Sequence, residues 1–338
     1  VTTRAELLIQ QPGWLTTLQD LGRPGAEHLG VPVAGAADQY SAAMGNALVG
    51  NRREAPSIEI MATAFTATAM NDMLIAVTGA AAEVRIDGHR APQWTPLCVP
   101  AGAEISIHNV RNGIRIYLCI NGEIDADLFL GSAAPDARMG FPQRLHAGSR
   151  VGAHSAYVRF THPYSQQPLM LPPVRVPDLR TACWTIDVTD GPETAAVPGI
   201  RELLAGSEYT VTDRSNHVGL RLSGPVLHPE GMDELLSHGV PIGGVEIPHS
   251  DELIILGRAR SLTAGYPIVA VVTSAAMSIL GQAGPGRRIR LRWRTLDDAI
   301  ANYRAQQADI ARTEESVTRL FDALGVPRAG LPTPARTP

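Results

Sequence analysis

The chain has 338 residues, long enough for two domains of about 150 residues each. Its apolar fraction of 44% and charged fraction of 18% are those of a globular protein, and a formal net charge of -4 supplies no field to gather nucleic acid or anionic lipid. Neither a nucleic acid nor a membrane is therefore expected as a partner. The longest apolar stretch, residues 267–280, is broken by Thr273, Ser274 and Ser278 and is too short to span a bilayer. Arg4, Glu6, Gln10 and Gln11 leave no room for the apolar core of a signal peptide, so a cytoplasmic location is expected. Cys98, Cys119 and Cys183 are widely spaced and odd in number, which argues for buried thiols rather than disulfides or a zinc site.

In chain order, the first regular element expected after the N-terminal loops is a helix. Asp38 can cap a segment whose Tyr40, Ala43, Met44, Ala47 and Leu48 share one face, and Gly50 stands where a left-handed residue ends a helix. Glu59, between Ile58 and Ile60, is expected on the other face of a strand as a solvated carboxylate. Residues 73–78 are a continuous apolar run of core-strand length. Residues 104–108 and 114–120 alternate apolar and polar with period two, and Asn112-Gly113 between them reads as a turn. Asp87-Gly88, Asn121-Gly122 and Pro285-Gly286 are further turn signals, so the bulk should be antiparallel sheet or barrel.

Pro168, Pro172, Pro173 and Pro177 favour extended backbone and mark a linker at residues 168–178, between an N-terminal domain at 1–167 and a C-terminal domain at 179–294. Residues 268–273 form a second core run, and residues 289–294 alternate again. The five arginines from Arg287 to Arg294 read as a solvated face. Ala101-Gly102 leading to Ile105 and Ile107 is echoed by Pro285-Gly286 leading to Ile289 and Leu291, hinting at two copies of one barrel type. Thr295 can cap a C-terminal helix at 295–324 with Asp297 and Asp298 in its first turn. Its stripe of Ile310, Val317, Leu320, Phe321 and Leu324 must lie on the body or on a partner. Residues 325–338, rich in Pro and Ala, should be a flexible tail.

Chemistry concentrates in residues 12–25. Three glycines and two prolines hold an irregular backbone there, while Gln19, Asp20 and Arg23 supply an amide, a carboxylate and a guanidinium suited to carboxylate or phosphate. The same residues read equally well as a loop braced by an Asp20–Arg23 salt bridge. His28 opens a second Gly- and Pro-rich loop that delivers Asp38, which reads first as a helix cap. Asn46 and Asn51 flank that helix's end and could hold backbone carbonyls or a substrate amide. In the second half, Asn216 precedes a strand from which Arg221 points to solvent or a cleft, and Tyr266 stands near a strand end where barrel sites commonly lie. His238 and His249, with Glu246 between them, lack a strong ligand spacing, so no metal site is expected. There is no Walker-type loop and no Gly-x-Ser-x-Gly elbow.

Pro12-Gly13, Thr16-Thr17, the run Gln19-Asp20-Leu21-Gly22-Arg23-Pro24-Gly25, Leu29-Gly30-Val31-Pro32, Gly35-Ala36-Ala37-Asp38 and residues 46–51, taken in order, resemble the family of the 5-oxoprolinase C subunit. The family is also called KipA-like, or allophanate hydrolase subunit 2, and is similar to part of the carboxyltransferase region of biotin-dependent urea carboxylase. Gly131-Ser132, Ser215-Asn216, residues 218–222, Gly265-Tyr266-Pro267 and Gln282 with Pro285-Gly286 extend the resemblance over roughly residues 8 to 294. It implies a mainly β fold of tandem cyclophilin-like β-barrel domains, with a few short helices and a C-terminal helix. It also implies a KipI-like partner of the B type, a third component of the A type, and ATP with Mg in the complex, although this chain carries no motif for the nucleotide. The implied reaction opens the amide of 5-oxoproline, or acts on allophanate or urea. Biotin would enter only on a separate carrier, because every one of the 29 Lys and Arg residues is arginine.

Several positions depart from the family pattern. His217 stands where Arg is common, His238 where Glu is common, and Glu246 where Gln is usual; Ala259 replaces an Asp and Ala264 a Gly. Residues 133–135 read Ala-Ala-Pro instead of the Arg-Ser-Thr that often follows Gly131-Ser132. The expectation is one component of an amidohydrolase complex, with Gln19, Asp20 and Arg23 catalytic and His28, Asp38, Asn46, Asn51, Asn216, Arg221 and Tyr266 binding substrate. The alternatives are a non-catalytic KipA-like module that regulates its KipI-like partner, or a carboxyltransferase part of a urea carboxylase.

Overall fold

The computed structural model describes residues 3–61, 63–155, 157, 171, 173–227, 235–248 and 252–324. Residues 168–170 and 172 of the expected linker, the 325–338 tail and His249 lie outside them. The chain is mainly β, as expected. Its first ten strands are β1 (Thr3–Gln11), β2 (Leu15–Gln19), β3 (Ser57–Met61), β4 (Phe65–Ala69), β5 (Met73–Ile86), β6 (His89–Ala91), β7 (Leu97–Val99), β8 (Glu104–Ile120), β9 (Glu123–Ile124) and β10 (Arg150–Ser155). They form one sheet in the order β2-β3-β8-β4-β1-β10-β9, with β5 branching from β8 and carrying β6 and β7. Alternate residues of these strands, among them Leu7, Ile9, Ile58, Ile60, Phe65 and Ile105, enclose a single apolar core.

The second half contributes β11 (Cys183–Asp190), β12 (Tyr209–Val211), β13 (Gly219–Ser223), β14 (His238–Gly239), β15 (Gly244–Glu246), β16 (Leu253–Leu256), β17 (Thr263–Ala264), β18 (Ile268–Val272) and β19 (Arg288–Trp293). Seven of them close a barrel in the order β11-β18-β15-β16-β13-β12-β19 around Trp184, Ile186, Tyr209, Val245 and Leu291. Closure uses a parallel pairing of β11 with β19, within a set of otherwise antiparallel ladders. The repeated turn-and-strand echo is real in backbone terms: Gly102 and Gly286, each just ahead of a strand, have φ of +83° and +82°. Arg288 and Arg290 reach Glu208 while Arg292 and Arg294 reach Asp187, giving the expected solvated ionic face.

Asn112-Gly113 is not a turn. Both residues sit inside the 17-residue β8, with φ of 57° and 148°. β5 pairs with β8 on both sides of them, from Ile75↔Ile120 to Ile86↔Ile105, and holds the chain extended. The left-handed residues are absorbed as register shifts at Gly79/Ala81 and Ala81/Glu83.

Helix α1 (Gln39–Leu48) lies on the outer face of the first sheet, α2 (Ile200–Gly206) and α3 (Ser274–Leu280) belong to the second half, and α4 (Leu296–Leu324) follows the barrel. Asp38 caps α1 by accepting from Ser41 N–H at 3.0 Å, and Gly50 takes a φ of +76° beyond its last turn. Thr295 accepts from Asp298 N–H at 3.1 Å at the start of α4. Ile310, Val317 and Phe321 of α4 are buried against Tyr40, Met44, Ala47 and Leu48 of α1, so the last helix folds back across the first half. Leu324 departs from the expected stripe: it is 41% exposed, one turn beyond the packing of Phe321 on Gly50. Glu59 also departs. It is buried, because α1 covers the sheet face it shares with Tyr117, its partner in the β3–β8 register. Among the described residues, no helix is long and apolar enough to cross a membrane.

The α4 contact is apolar and tight, so Phe321→Ala should lower the unfolding free energy by about 3 kcal/mol or more. Urea denaturation followed by circular dichroism measures it, and a loss near zero would mean that α4 is not docked on α1.

Candidate functional site

β2 ends at Gln19, and the next six residues form a loop fixed from both sides. Gly22 (φ +91°) and Gly35 (φ +92°) meet back to back, and a Cβ on Gly22 would stand 2.4 Å from Val33 O. Arg23 N–H donates to Val33 O at 2.8 Å and Ala36 N–H to Asp20 O at 2.8 Å, zipping the two Gly-rich loops together.

Asp20 and Arg23 do not pair with each other, so the bracing salt bridge is replaced by a different brace. Asp20 is buried and accepts from Gly22 N–H (2.7 Å), Ser132 Oγ–H (2.6 Å) and Ala133 N–H (2.8 Å). Arg23 donates to the carbonyls of Phe129 and Ala134 and lies over the Phe129 ring at 5.2 Å. Both side chains hold the loop at residues 129–134. Desolvation lowers the Arg23 pKa, and Asp136 and Asp20 oppose that shift.

The remaining polar atoms at this place are unsatisfied. Gln19 gives its amide N–H to Thr17 Oγ1 at 3.2 Å, while its Oε1 is buried without a partner. Arg23 Nη1 and Asp136 Oδ2 are buried without partners as well. A donor and two acceptors left unpaired are costly to bury and suit a ligand with both an N–H and a carbonyl. His217, on an exposed loop of the second half, faces this wall. Desolvation and then Arg138 lower its pKa, Asp136 raises it, and Arg115 lowers it further. His217 of the second half therefore shares its surroundings with Asp136, Arg138 and Arg115 of the first.

A buried network joins the halves. Asp38 Oδ2 accepts from Ser41 Oγ–H at 2.5 Å and from Gln282 Nε2–H at 2.7 Å, and burial raises its pKa despite these donors. Gln282 Oε1 accepts the N–H groups of Ile114 (3.2 Å) and Arg115 (2.9 Å). Tyr117 donates its hydroxyl to Glu59 Oε2 at 2.7 Å and accepts from Asp38 N–H at 2.9 Å. Arg115 Nε lies 3.5 Å from Glu59 Oε1.

The other candidates are dispersed. Asn46 donates to Ala55 O and accepts from Asn51, which also donates to Ile120 O and accepts from Gly122 N–H; both amides are spent on backbone and on each other. His28 is exposed with Nδ1 2.7 Å from Gly25 O. Asn216 is exposed and closes a turn by accepting from Val218 N–H. Arg221 and Arg214 share the buried carboxylate of Glu252. Tyr266 is half-buried between β17 and β18. Sequence reasoning missed Asp136, whose one local signal was its place in a long stretch poor in secondary structure, and Arg258, which had none. Among the described residues, no three His, Cys, Asp or Glu side chains converge as a metal site.

A ten-stranded sheet half docked on a closed-barrel half is the layout of a carboxyltransferase-type protein. Residues 29–293 match the carboxyltransferase domain, subdomain A and B, and the chain belongs to that family. It is 30% identical over 310 residues to the 5-oxoprolinase C subunit of Escherichia coli (strain K12), covering 89% of this chain and 95% of the relative. It is 27% identical over 346 residues to urea amidolyase of Saccharomyces cerevisiae, covering 94% of this chain but only 18% of that protein. The urea carboxylase structure of Kluyveromyces lactis superposes with a TM-score of 0.80 at 26% identity, over 92% of this chain and 29% of that one.

Glu246, one of the departures from the family pattern, is 4% exposed with Oε1 unpartnered. Burial pushes its pKa up to about 7, partly offset by His238 nearby. A carboxyl raised in the folded state contributes stability that is full below its unfolded pKa of about 4.3 and is lost as pH climbs through the folded value. Glu246→Gln should therefore gain melting temperature relative to the natural chain between about pH 5 and about pH 8. Differential scanning calorimetry at those two pH values checks it; a constant difference would rule out the shift.

Proposed function

We propose that the chain is the C-type component of an ATP-dependent amidohydrolase complex that opens a small cyclic amide of the 5-oxoproline kind. The nearly end-to-end match with the Escherichia coli relative carries this reading. The name of that relative supports work in a multi-subunit complex, with a KipI-like partner of the B type completing the site. The unpaired atoms supply what amide activation needs. Arg23 Nη1 can donate to a carbonyl oxygen on which negative charge develops, and Gln19 Oε1 and Asp136 Oδ2 can accept from the amide N–H. Asp20 acts by holding the loop at 129–134 against Arg23.

The Gly79–Ala82 stretch offers no cradle for the phosphates of ATP. It is interior to β5, where a Cβ on Gly79 would stand 2.3 Å from Arg115 O, leaving no space for a phosphate. The nucleotide step is accordingly not assigned to these residues. The similarity to urea amidolyase favours a second reading, carboxyl transfer to urea. With no lysine in the chain, that reading needs biotin on another polypeptide.

The test is reconstitution with the A-type and B-type partners, following ATP hydrolysis that depends on 5-oxoproline. Turnover should appear with the natural chain, and Asp136→Asn and Arg23→Lys should each lower kcat about tenfold or more while the complex still assembles. Absence of turnover on 5-oxoproline, with activity on urea once a biotin carrier is supplied, would replace this reading by the second.

A further inference from the structure

A cavity of about 440 Å³ lies where α1, α3 and α4 meet the Leu21 loop. That volume lies within the range of small-molecule pockets. Its charged lining is Arg53, Glu54 and Arg258. Arg53 is neutralised on the far side by Glu314, to which its Nε donates at 2.9 Å, and Glu54 is solvent-exposed. Arg258 differs from both. Its Nε donates to Ala34 O at 2.9 Å and its Nη2 to Leu21 O at 3.3 Å, and among the described residues it forms no ion pair. A guanidinium has five N–H groups, so backbone carbonyls occupy two of them and three remain.

The charge imbalance extends behind the wall. Arg260 is 7% exposed, gives Nε–H to Val240 O at 2.8 Å and leaves Nη1 buried without a partner. Glu27 attracts it without forming an ion pair. Burial, with Arg260 adding repulsion, lowers Arg258 to about 10. Two desolvated guanidiniums with no carboxylate against them among the described residues are costly, and an anion in the cavity would offset the cost. The rest of the lining is mixed. Tyr303 and Ser274 bring hydroxyls, while Met277, Ile242 and Ile310 form an apolar side. A planar guanidinium fork in a lining that is otherwise partly apolar suits a carboxylate on a compact carbon skeleton better than a phosphate, whose oxygens want donors all round.

We propose that this cavity binds a small organic carboxylate, with the carboxylate on Arg258 and the carbon skeleton against Met277 and Ile310. The cavity and its unbalanced charge are the same whichever reaction the complex performs.

Isothermal titration calorimetry on the full chain, without partner proteins or ATP, tests it with four probes. These are 5-oxoproline, glutarate, inorganic phosphate and 2-pyrrolidinone, which keeps the 5-oxoproline ring but lacks its carboxylate. The two carboxylates should bind at millimolar concentration or below, and phosphate and 2-pyrrolidinone should not. Arg258→Gln should weaken carboxylate binding about tenfold or more. Because Arg258 also ties Leu21 and Ala34, Gln306→Trp on α4 serves as the second variant: it leaves those hydrogen bonds alone, fills the cavity and should abolish binding. The proposal is overturned if neither carboxylate binds the natural chain, if phosphate binds in preference to them, or if binding survives Gln306→Trp.

Discussion

The side chain of Gln282 is fully buried, and its two ends bind opposite halves of one polar problem. Its carbonyl accepts from the N–H groups of Ile114 and Arg115, at the irregular stretch of β8, and its amide N–H donates a hydrogen bond to the Asp38 carboxylate that starts α1. Gln282 itself belongs to the second half. One residue thereby couples the strand irregularity, the helix start and the docking of the barrel. The close approach has its own requirements, since a Cβ on Gly113 would meet Gln282 Oε1 at 2.8 Å and one on Gly281 would meet Ala37 O at 2.2 Å. Losing the amide would leave the part-buried N–H groups of Ile114 and Arg115 without their acceptor, each worth about 1–3 kcal/mol, and leave Asp38 Oδ2 with Ser41 alone.

That coupling decides where the working surfaces lie. With α1 fixed, the two Gly-rich loops zip together, Arg258 from the second half reaches Leu21 and Ala34, and α4 closes over α1. Leu21, two residues beyond Gln19 and two before Arg23, lines the cavity that holds Arg258. A simple distinction sorts the polar residues around these surfaces. Asp20, Asn46 and Asn51 have their hydrogen bonds satisfied within the protein and act as scaffold, whereas Gln19 Oε1, Arg23 Nη1 and Asp136 Oδ2 are buried and unsatisfied. Unsatisfied groups are where a ligand lowers the free energy most.

The departures from the family pattern acquire physical content in the same way. His217 lies near Arg138 and Arg115, where a neutral imidazole adds no further positive charge, as an arginine there would. Glu246 and His238 influence each other inside the second half, so two departures from separate strands share one local environment of low solvent access.

What the chain determined by itself was local. Period-two alternation, Gly-containing turns, the Asp38 and Thr295 caps and the apolar stripe of α4 depend on neighbours a few residues away, so the mainly β fold and both long helices were legible. The order of motifs from Pro12 to Gly286 was equally legible as a family pattern. Tertiary structure decided everything that depends on what lies opposite. β5 turned the Asn112-Gly113 signal into a bulge, α1 buried the carboxylate of Glu59, and the end of the α1 surface left Leu324 exposed. Asp136 and Arg258 gained significance because their partners, or the lack of them, come from distant parts of the chain. Burial and hydrogen-bond satisfaction are sums over all surrounding elements, and no spacing within one segment encodes them.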